Sequence, residues 1–252
     1  MPVTLDFLEN NIAIIKIDRP EVRNALDWEA MYRFRDLIDE AHNIKNLPAL
    51  IITGANNTFI AGGDLKALHK HTSEEDGQLL SQIMSSALAR LETLPCPTIA
   101  AINGPARGGG AEICLACDIR IMESDADIGF VQIKLGIIPG WGAGQRLLST
   151  VGYSRAIELL ISGNAIGADK AKLIGLVNQI TAPGEAEMIA ITLARMIADQ
   201  PINAIQAIKR ILRAGLYLPK ETSIALEQAE FPPLWASDEH TEAVKKFLNR
   251  KI

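Results

Sequence analysis

The sequence predicts an α/β fold: alternating strands and helices over residues 1–182, followed by a helical region over residues 183–252. Two observations carry this. Apolar runs of strand length, such as ALIITG (49–54) and PTIAAING (97–104), alternate with stretches whose apolar residues recur every three or four positions. From about Pro183 the strand-like runs give way to a succession of helical patterns. A chain of 252 residues with 48% hydrophobic and 22% charged residues has the make-up of a globular protein with a large core. It contains no internal repeat or low-complexity tract.

In chain order, Thr4 to Phe7 and IAIIKI (12–17) are two short apolar runs around LENN, which predicts a hairpin. DRPEVRNALD (18–27) is a turn. It leads into a helix that places Trp28, Met31, Phe34, Ile38 and Ala41 on one face. ALIITG is a buried strand, and NNTFIAGGDLKAL is a glycine-broken loop running into a helix. Leu80, Ile83, Met84, Ala87 and Leu91 mark a long helix, and PTIAAING is the next strand. The glycine triplet Gly108 to Gly110 starts another helix; DIRIME (118–123) and the region around Phe130 read as extended. LGIIPGWGAGQRLL turns into a helix, and LVNQI (176–180) is the last strand. Helical patterns then cover Met188 to Ile197, Ile205 to Leu212, Ile224 onward, and Val244 to Leu248.

Composition excludes several classes. A formal net charge of −5 gives no basic footprint, so nucleic acid is not an expected partner. No apolar run reaches membrane-spanning length, and MPVTLDFLENN carries acids where a signal peptide has positive charge, so a cytoplasmic location is expected. Three cysteines, Cys96, Cys114 and Cys117, fit a reducing compartment. The lone Cys114–Cys117 CxxC lacks a second pair, and the pair His69/His71 lacks a third ligand, so no metal site is expected.

The chemistry concentrates in two glycine-lined turns, FIAGGDLK (59–66) and GGGAE (108–112). Each follows a predicted strand and opens a predicted helix, where backbone N–H groups have no internal partner and the helix dipole is positive. Without side chains on Gly62, Gly63, Gly109 and Gly110, a foreign oxygen can approach those N–H groups. Two such turns, aimed at one atom, suit a thioester carbonyl that becomes an enolate. Glu112, three residues past Gly109, projects near the same side and can move a proton at the adjacent carbon. Against this, a glutamate in a first helical turn also serves as a cap or dipole partner. No GxxxxGK[ST] occurs, and GWGAGQ (140–145) follows a proline loop with no acidic residue placed for a ribose, so it reads as a helix-initiating turn.

RPEVRNAL, TFIAGGDLKAL, INGPARGGGAEICLACDIRI, GIIPGWGAGQRL and GLVNQI, in this order and spacing, resemble the crotonase superfamily, also called the enoyl-CoA hydratase/isomerase family. The resemblance runs over nearly the whole chain. It implies a spiral of β-β-α turns, a carboxyl-terminal helical region used in trimer packing, and a homotrimer or dimer of trimers. It implies an acyl-CoA substrate whose coenzyme A is part of the substrate, with no separate cofactor. By position, the two oxyanion-hole amides fall on Gly63 and Gly109. Substrate contacts fall around Arg23, Ala25, Ala61, Asp64, Leu65 and Lys66, and a carboxyl-terminal contact to CoA phosphates matches Phe247 and Arg250. Trp141 is a candidate wall of the acyl pocket.

One departure sets the reaction. Hydratases of the family resemble one another in carrying two catalytic glutamates; the first matches Glu112, and the second position holds Gln132. Glutamine has no proton to exchange near neutral pH. Decarboxylation of a malonyl-type thioester needs only one acid, since loss of CO₂ itself creates the enolate. A neutral Gln132 can donate its N–H₂ to the substrate carboxylate, where a glutamate would repel it. NTFIAGGDLKAL, EEDG, GGGAE, ACDIRIM and GIIPGWG are also similar to the ethylmalonyl-CoA/methylmalonyl-CoA decarboxylase branch. The expectation is therefore a decarboxylase, with an enoyl-CoA hydratase as the alternative and a non-catalytic CoA-ester binder as the third reading.

Overall fold

The computed structural model describes residues 2–249. The first two apolar runs form a hairpin as expected: β1 (Val3–Phe7) and β2 (Ala13–Ile17) pair antiparallel, Val3 opposite Ile17. The chain then crosses over through α1 (Trp28–His42) to β3 (Leu50–Gly54), which lies parallel to β2. A one-turn helix α2 (Leu65–Leu68) and α3 (Glu74–Thr93) lead to β4 (Thr98–Ile102), parallel to β3. A two-residue strand β5 (Ala106–Arg107) and α4 (Gly109–Ala116) precede β6 (Ile119–Glu123). Next come β7 (Asp127–Gly129), α5 (Ala143–Val151), α6 (Tyr153–Ser162), β8 (Ile166–Gly167), α7 (Ala168–Leu173) and β9 (Gln179–Thr181). Among the described residues four further helices follow: α8 (Ala186–Ala198), α9 (Ile202–Tyr217), α10 (Lys220–Trp235) and α11 (Asp238–Leu248).

The strands form two sheets. The larger has the order β1-β2-β3-β4-β6-β9, all parallel after the first pair. The smaller, β5-β7-β8, stands beside it. Every residue of β3 and β4 is buried, because helices cover both faces; such strands read as continuous apolar runs rather than as alternation. One face carries Ile15, Ile52 and Ala100 into a core with Phe34 of α1 and Leu88 of α3. The other carries Ile14, Ile51, Ile99 and Ile121 against Ala186, Ala190 and Ala194 of α8, whose small side chains fill one stripe of that helix.

α8, the first helix of the helical region expected over residues 183–252, thus covers the sheet. The arm beyond the core starts with α9. It is fastened by Lys209, buried on α9, which donates to the Cys96 carbonyl and to Asp118 Oδ2, each at 2.7 Å. Leu212, Tyr217, Phe231, Trp235, Phe247 and Leu248 on α9 to α11 remain exposed. Other expectations shift in detail. The strand expected at 176–180 forms at Gln179–Thr181, with Leu176 and Val177 buried just before it. Phe130 lies between β7 and a 3₁₀ turn over Val131–Leu135, which ends at Gly136 with φ +73°. Residues 153–175, where periodicity predicts no element, hold α6, β8 and α7. No helix among the described residues is long and apolar enough to cross a membrane.

Candidate active site

The two glycine turns meet. A methyl group on Gly62 would fall 2.9 Å from the Arg107 carbonyl oxygen and 3.0 Å from the Gly109 nitrogen. Gly62 itself holds φ +96°, a backbone state that suits glycine. Leu26 donates to the Gly62 carbonyl and accepts from Asp64 N, a bridge that straddles Gly63 and turns the Gly63 N–H away from Leu26. Gly109 is the first residue of α4, so its N–H has no intrahelical partner.

One expectation changes here. Gly63 does not open a helix: Asp64 caps α2 by accepting from Lys66 N and Ala67 N at 3.1 and 3.3 Å, and Gly63 precedes that cap. Its N–H is freed by the strand-like bridge instead. Asp64, expected at the substrate, has its other oxygen facing Arg19 at 3.7 Å.

Glu112 lies in the first turn of α4 and is 1% exposed. Its carboxylate is fully engaged. Oε2 accepts from Trp141 N at 2.8 Å and from Ala143 N at 3.1 Å; Oε1 accepts from Gln132 Nε2 at 2.8 Å. These donors come from the turn before α5 and from the 3₁₀ turn after β7, so tertiary packing alone assembles them. The Trp141 ring closes the group: a methyl on Gly109 would meet its Cζ3 at 2.1 Å. Arg146 fixes the same turn by donating to the Trp141 carbonyl at 2.7 Å, and it pairs with Glu92 at 2.8 Å.

Burial raises the Glu112 pKa above its ordinary 4.5, against the opposing pull of the Ala143, Trp141 and Gln132 hydrogen bonds and the Arg146 charge. The folded chain therefore holds this proton to a higher pH than the unfolded chain does. The associated stability is complete below 4.5 and is lost as pH rises through the raised value. Denaturant titrations across this window are expected to show the wild type weakening with pH relative to Glu112→Gln; parallel profiles would remove the assignment.

Two of the other predicted residues, Arg23 and Ala61, line a cleft of about 290 Å³ together with Asn57, Thr58, Pro105 and Arg107. Arg23 is exposed and makes no ion pair among the described residues. Its carbonyl accepts from Ala61 N at 3.2 Å, which ties the Arg23 turn to the first glycine turn. Ala25 is buried; Leu65 and Lys66 are exposed on α2. Phe247 is 71% exposed on α11, which packs against α10. Arg250 lies outside the described residues. His69 and His71 do not pair with each other: the His69 ring contacts the Lys66 carbonyl, and His71 faces Asp76 at 3.5 Å. No cluster of three metal-ligating side chains exists among the described residues.

Sequence reasoning missed Ala143 and Asn24, and read Trp141 only for its ring. The Trp141 and Ala143 amides carry no side-chain signature. Asn24, fully buried with φ +57°, accepts from Arg19 N and donates to the Ala55 and Thr58 carbonyls, so it staples the Arg23 turn to the loop ahead of the glycines. An asparagine in the turn segment RPEVRNAL is the signal that the sequence offers, because asparagine tolerates a positive φ. A larger cleft of about 660 Å³ lies at the opposite end of α4, beneath α9, and holds the Glu92, Arg146 and Arg213 cluster. It does not include Glu112.

Comparison with known proteins gives a consistent picture. The family model described as enoyl-CoA hydratase/isomerase matches residues 8–252. The short-chain-enoyl-CoA hydratase of Clostridium acetobutylicum is 34% identical over 244 residues, covering 96% of this chain and 93% of its own. The ethylmalonyl-CoA decarboxylase of Gallus gallus is 33% identical over 248 residues, covering 97% and 83%. The crystal structure of an enoyl-CoA hydratase from Bacillus anthracis superposes with a TM-score of 0.93 at 31% identity, covering 98% and 96%.

Proposed function

The chain belongs to the enoyl-CoA hydratase/isomerase family, and from that premise we propose that it is a lyase of short acyl-CoA thioesters whose preferred reaction is decarboxylation of a malonyl-type ester. One observation carries the preference. The buried carboxylate Glu112 has an amide, Gln132, and no second acid at the facing position.

In this reading the Gly63 and Gly109 N–H groups hold the thioester oxygen. The bond between the substrate's C2 and its carboxylate breaks, CO₂ leaves, and the electron pair moves onto the thioester as an enolate, which the two donors stabilise. Glu112 in its protonated form then gives its proton to C2 and is left ionised, and solvent returns a proton to it; one proton is consumed per turnover. Its raised pKa favours the protonated form that this step needs. Trp141 walls the acyl pocket. Arg23, Ala25, Ala61, Leu65 and Lys66 line the path of the coenzyme A, and Phe247 and Arg250 reach its phosphates from a neighbouring subunit. No cofactor beyond the coenzyme A of the substrate takes part. The apolar residues exposed on α9 to α11 support a homotrimer or dimer of trimers, and three free, buried thiols fit a cytoplasmic setting.

Water addition to a 2-enoyl-CoA, with Glu112 working alone, is the second reading; the similarity to the Clostridium hydratase favours it. The deciding assay follows CO₂ release from malonyl-, methylmalonyl- and ethylmalonyl-CoA, and hydration of crotonyl-CoA. CO₂ release is expected. Hydration without CO₂ release moves the assignment to the second reading, and binding without turnover makes the chain a non-catalytic CoA-ester binder. Gln132→Glu is expected to cut CO₂ release by about tenfold or more, because a second carboxylate repels the substrate's own, and to raise hydration.

A further inference from the structure

Gln132 is 7% exposed, and its Oε1 has no hydrogen-bond partner among the described residues. Its Nε2 is committed to Glu112 Oε1, and the amide stands beside Gly108, 3.9 Å from where a methyl there would sit, at the mouth of α4. A buried amide with one end bonded and the other unsatisfied is costly unless a second partner or a second orientation satisfies it.

Glu112 dictates which orientation is allowed. Oε2 already accepts two backbone N–H groups, one for each lone pair. A proton arriving on Glu112 therefore goes to Oε1. That O–H then points at Gln132, where an N–H₂ cannot accept it, whereas a carbonyl can. Half a turn about the terminal torsion of Gln132, which is soft, puts Oε1 against the new O–H and moves Nε2 to where Oε1 now lies. The turned state satisfies the orphaned oxygen and frees two N–H donors.

We propose that the Gln132 amide turns over with the proton of Glu112, presenting its carbonyl when Glu112 is ionised and its N–H₂ when Glu112 is protonated, so that an acyl-CoA bearing a carboxylate is admitted together with a proton. This rests on the decarboxylase reading and deepens it: the orientation that welcomes the substrate anion is the one in which Glu112 holds the proton it must deliver. The ionised pair presents two acceptors instead, which disfavours a carboxylate and leaves the acid empty. Burial of Glu112 makes the protonated state accessible. The charged group acting on the pair from α5 is Arg146, itself neutralised by Glu92 of α3, which Arg213 of α9 also faces at 3.6 Å.

The test uses sulfoacetyl-CoA, whose sulfonate stands where a malonyl carboxylate would and cannot leave, and butyryl-CoA, which has no such anion. In ¹⁵N-labelled protein the Gln132 N–H₂ signal, assigned by its loss in Gln132→Met, is expected to move as Glu112 titrates and to stay fixed in Glu112→Gln. Above that titration, sulfoacetyl-CoA is expected to drive the signal to its acid position, and butyryl-CoA to leave it in its basic one. Gln132→Met is expected to bind sulfoacetyl-CoA at least about tenfold more weakly than the wild type. Should that variant not fold, Gln132→Glu, of the same length, is expected to reject sulfoacetyl-CoA by at least the same factor.

A signal that stays basic with sulfoacetyl-CoA bound, or variants that bind it as the wild type does, would overturn the coupling. If the wild type nevertheless releases CO₂ from malonyl-type esters, the decarboxylase reading stands without it. Failure to bind either thioester overturns both.

Discussion

Replacing Glu112 with glutamine is expected to lower kcat by about 10²–10⁴-fold, the usual worth of a positioned general acid, while thioester affinity changes by only a few-fold. The substitution keeps the length of the side chain, and its carbonyl can still accept from Trp141 N and Ala143 N, the two bonds that now hold Oε2. The turn before α5 therefore stays in place, and so does the indole ring over Gly109. What disappears is the one exchangeable proton of the site. Enolate formation would continue on the two glycine donors, so isotope exchange and CO₂ release separate the roles. A variant that still releases CO₂ but protonates C2 slowly and without stereochemical preference confirms delivery by Glu112. Unchanged turnover would remove Glu112 from the mechanism and place the proton source in solvent.

Gly110→Ala is expected to be severely damaging. Its Cβ would sit 1.9 Å from the Ile60 carbonyl oxygen, and that atom is backbone with no freedom to swing aside. The two glycine turns would have to part, costing about 3 kcal/mol or more, and with them would go the shared orientation of the Gly63 and Gly109 N–H groups. Thermal melts should show a large loss, and residual activity should fall further than stability predicts. Gly77→Ala is the control: it lies within α3, nothing stands within 4 Å of its added methyl, and the change should stabilise slightly. Equal behaviour of the two variants would mean that the turns do not touch.

The parts of the molecule legible in the sequence are those whose signal is local. The hairpin, α1 with Met31 and Phe34 inward, and the buried strands β3 and β4 follow from periodicity and apolar run length. Glu112 was visible because a carboxylate after three glycines at the start of an apolar helix is costly unless it is used. The donors that hold it were not visible, since the Trp141 and Ala143 contributions are main-chain N–H groups brought from some thirty residues away. α6 escaped because its Ile157 and Ile161 face outward, so its apolar pattern does not mark a core face. Periodicity marks α8 as a helix but not its packing on the sheet, because contact through Ala186, Ala190 and Ala194 leaves only a faint stripe. Lys209 was unreadable for the opposite reason: a lysine gives no hint of burial until Asp118 stands opposite it.

Arg120 is buried beneath the far end of α4, where its guanidinium donates to the Cys114 and Cys117 carbonyls while its Nε reaches the Leu176 carbonyl at 2.7 Å. The negative pole of that short helix is thus clamped by a fixed cation, and its positive pole, at Gly109, is the end that the proposed function turns toward the thioester. A helix pinned in this way has little room to recoil when an anion grows at its tip. The cost of aligning the donor dipole is met during folding rather than during each turnover, by a side chain at the far end of the helix.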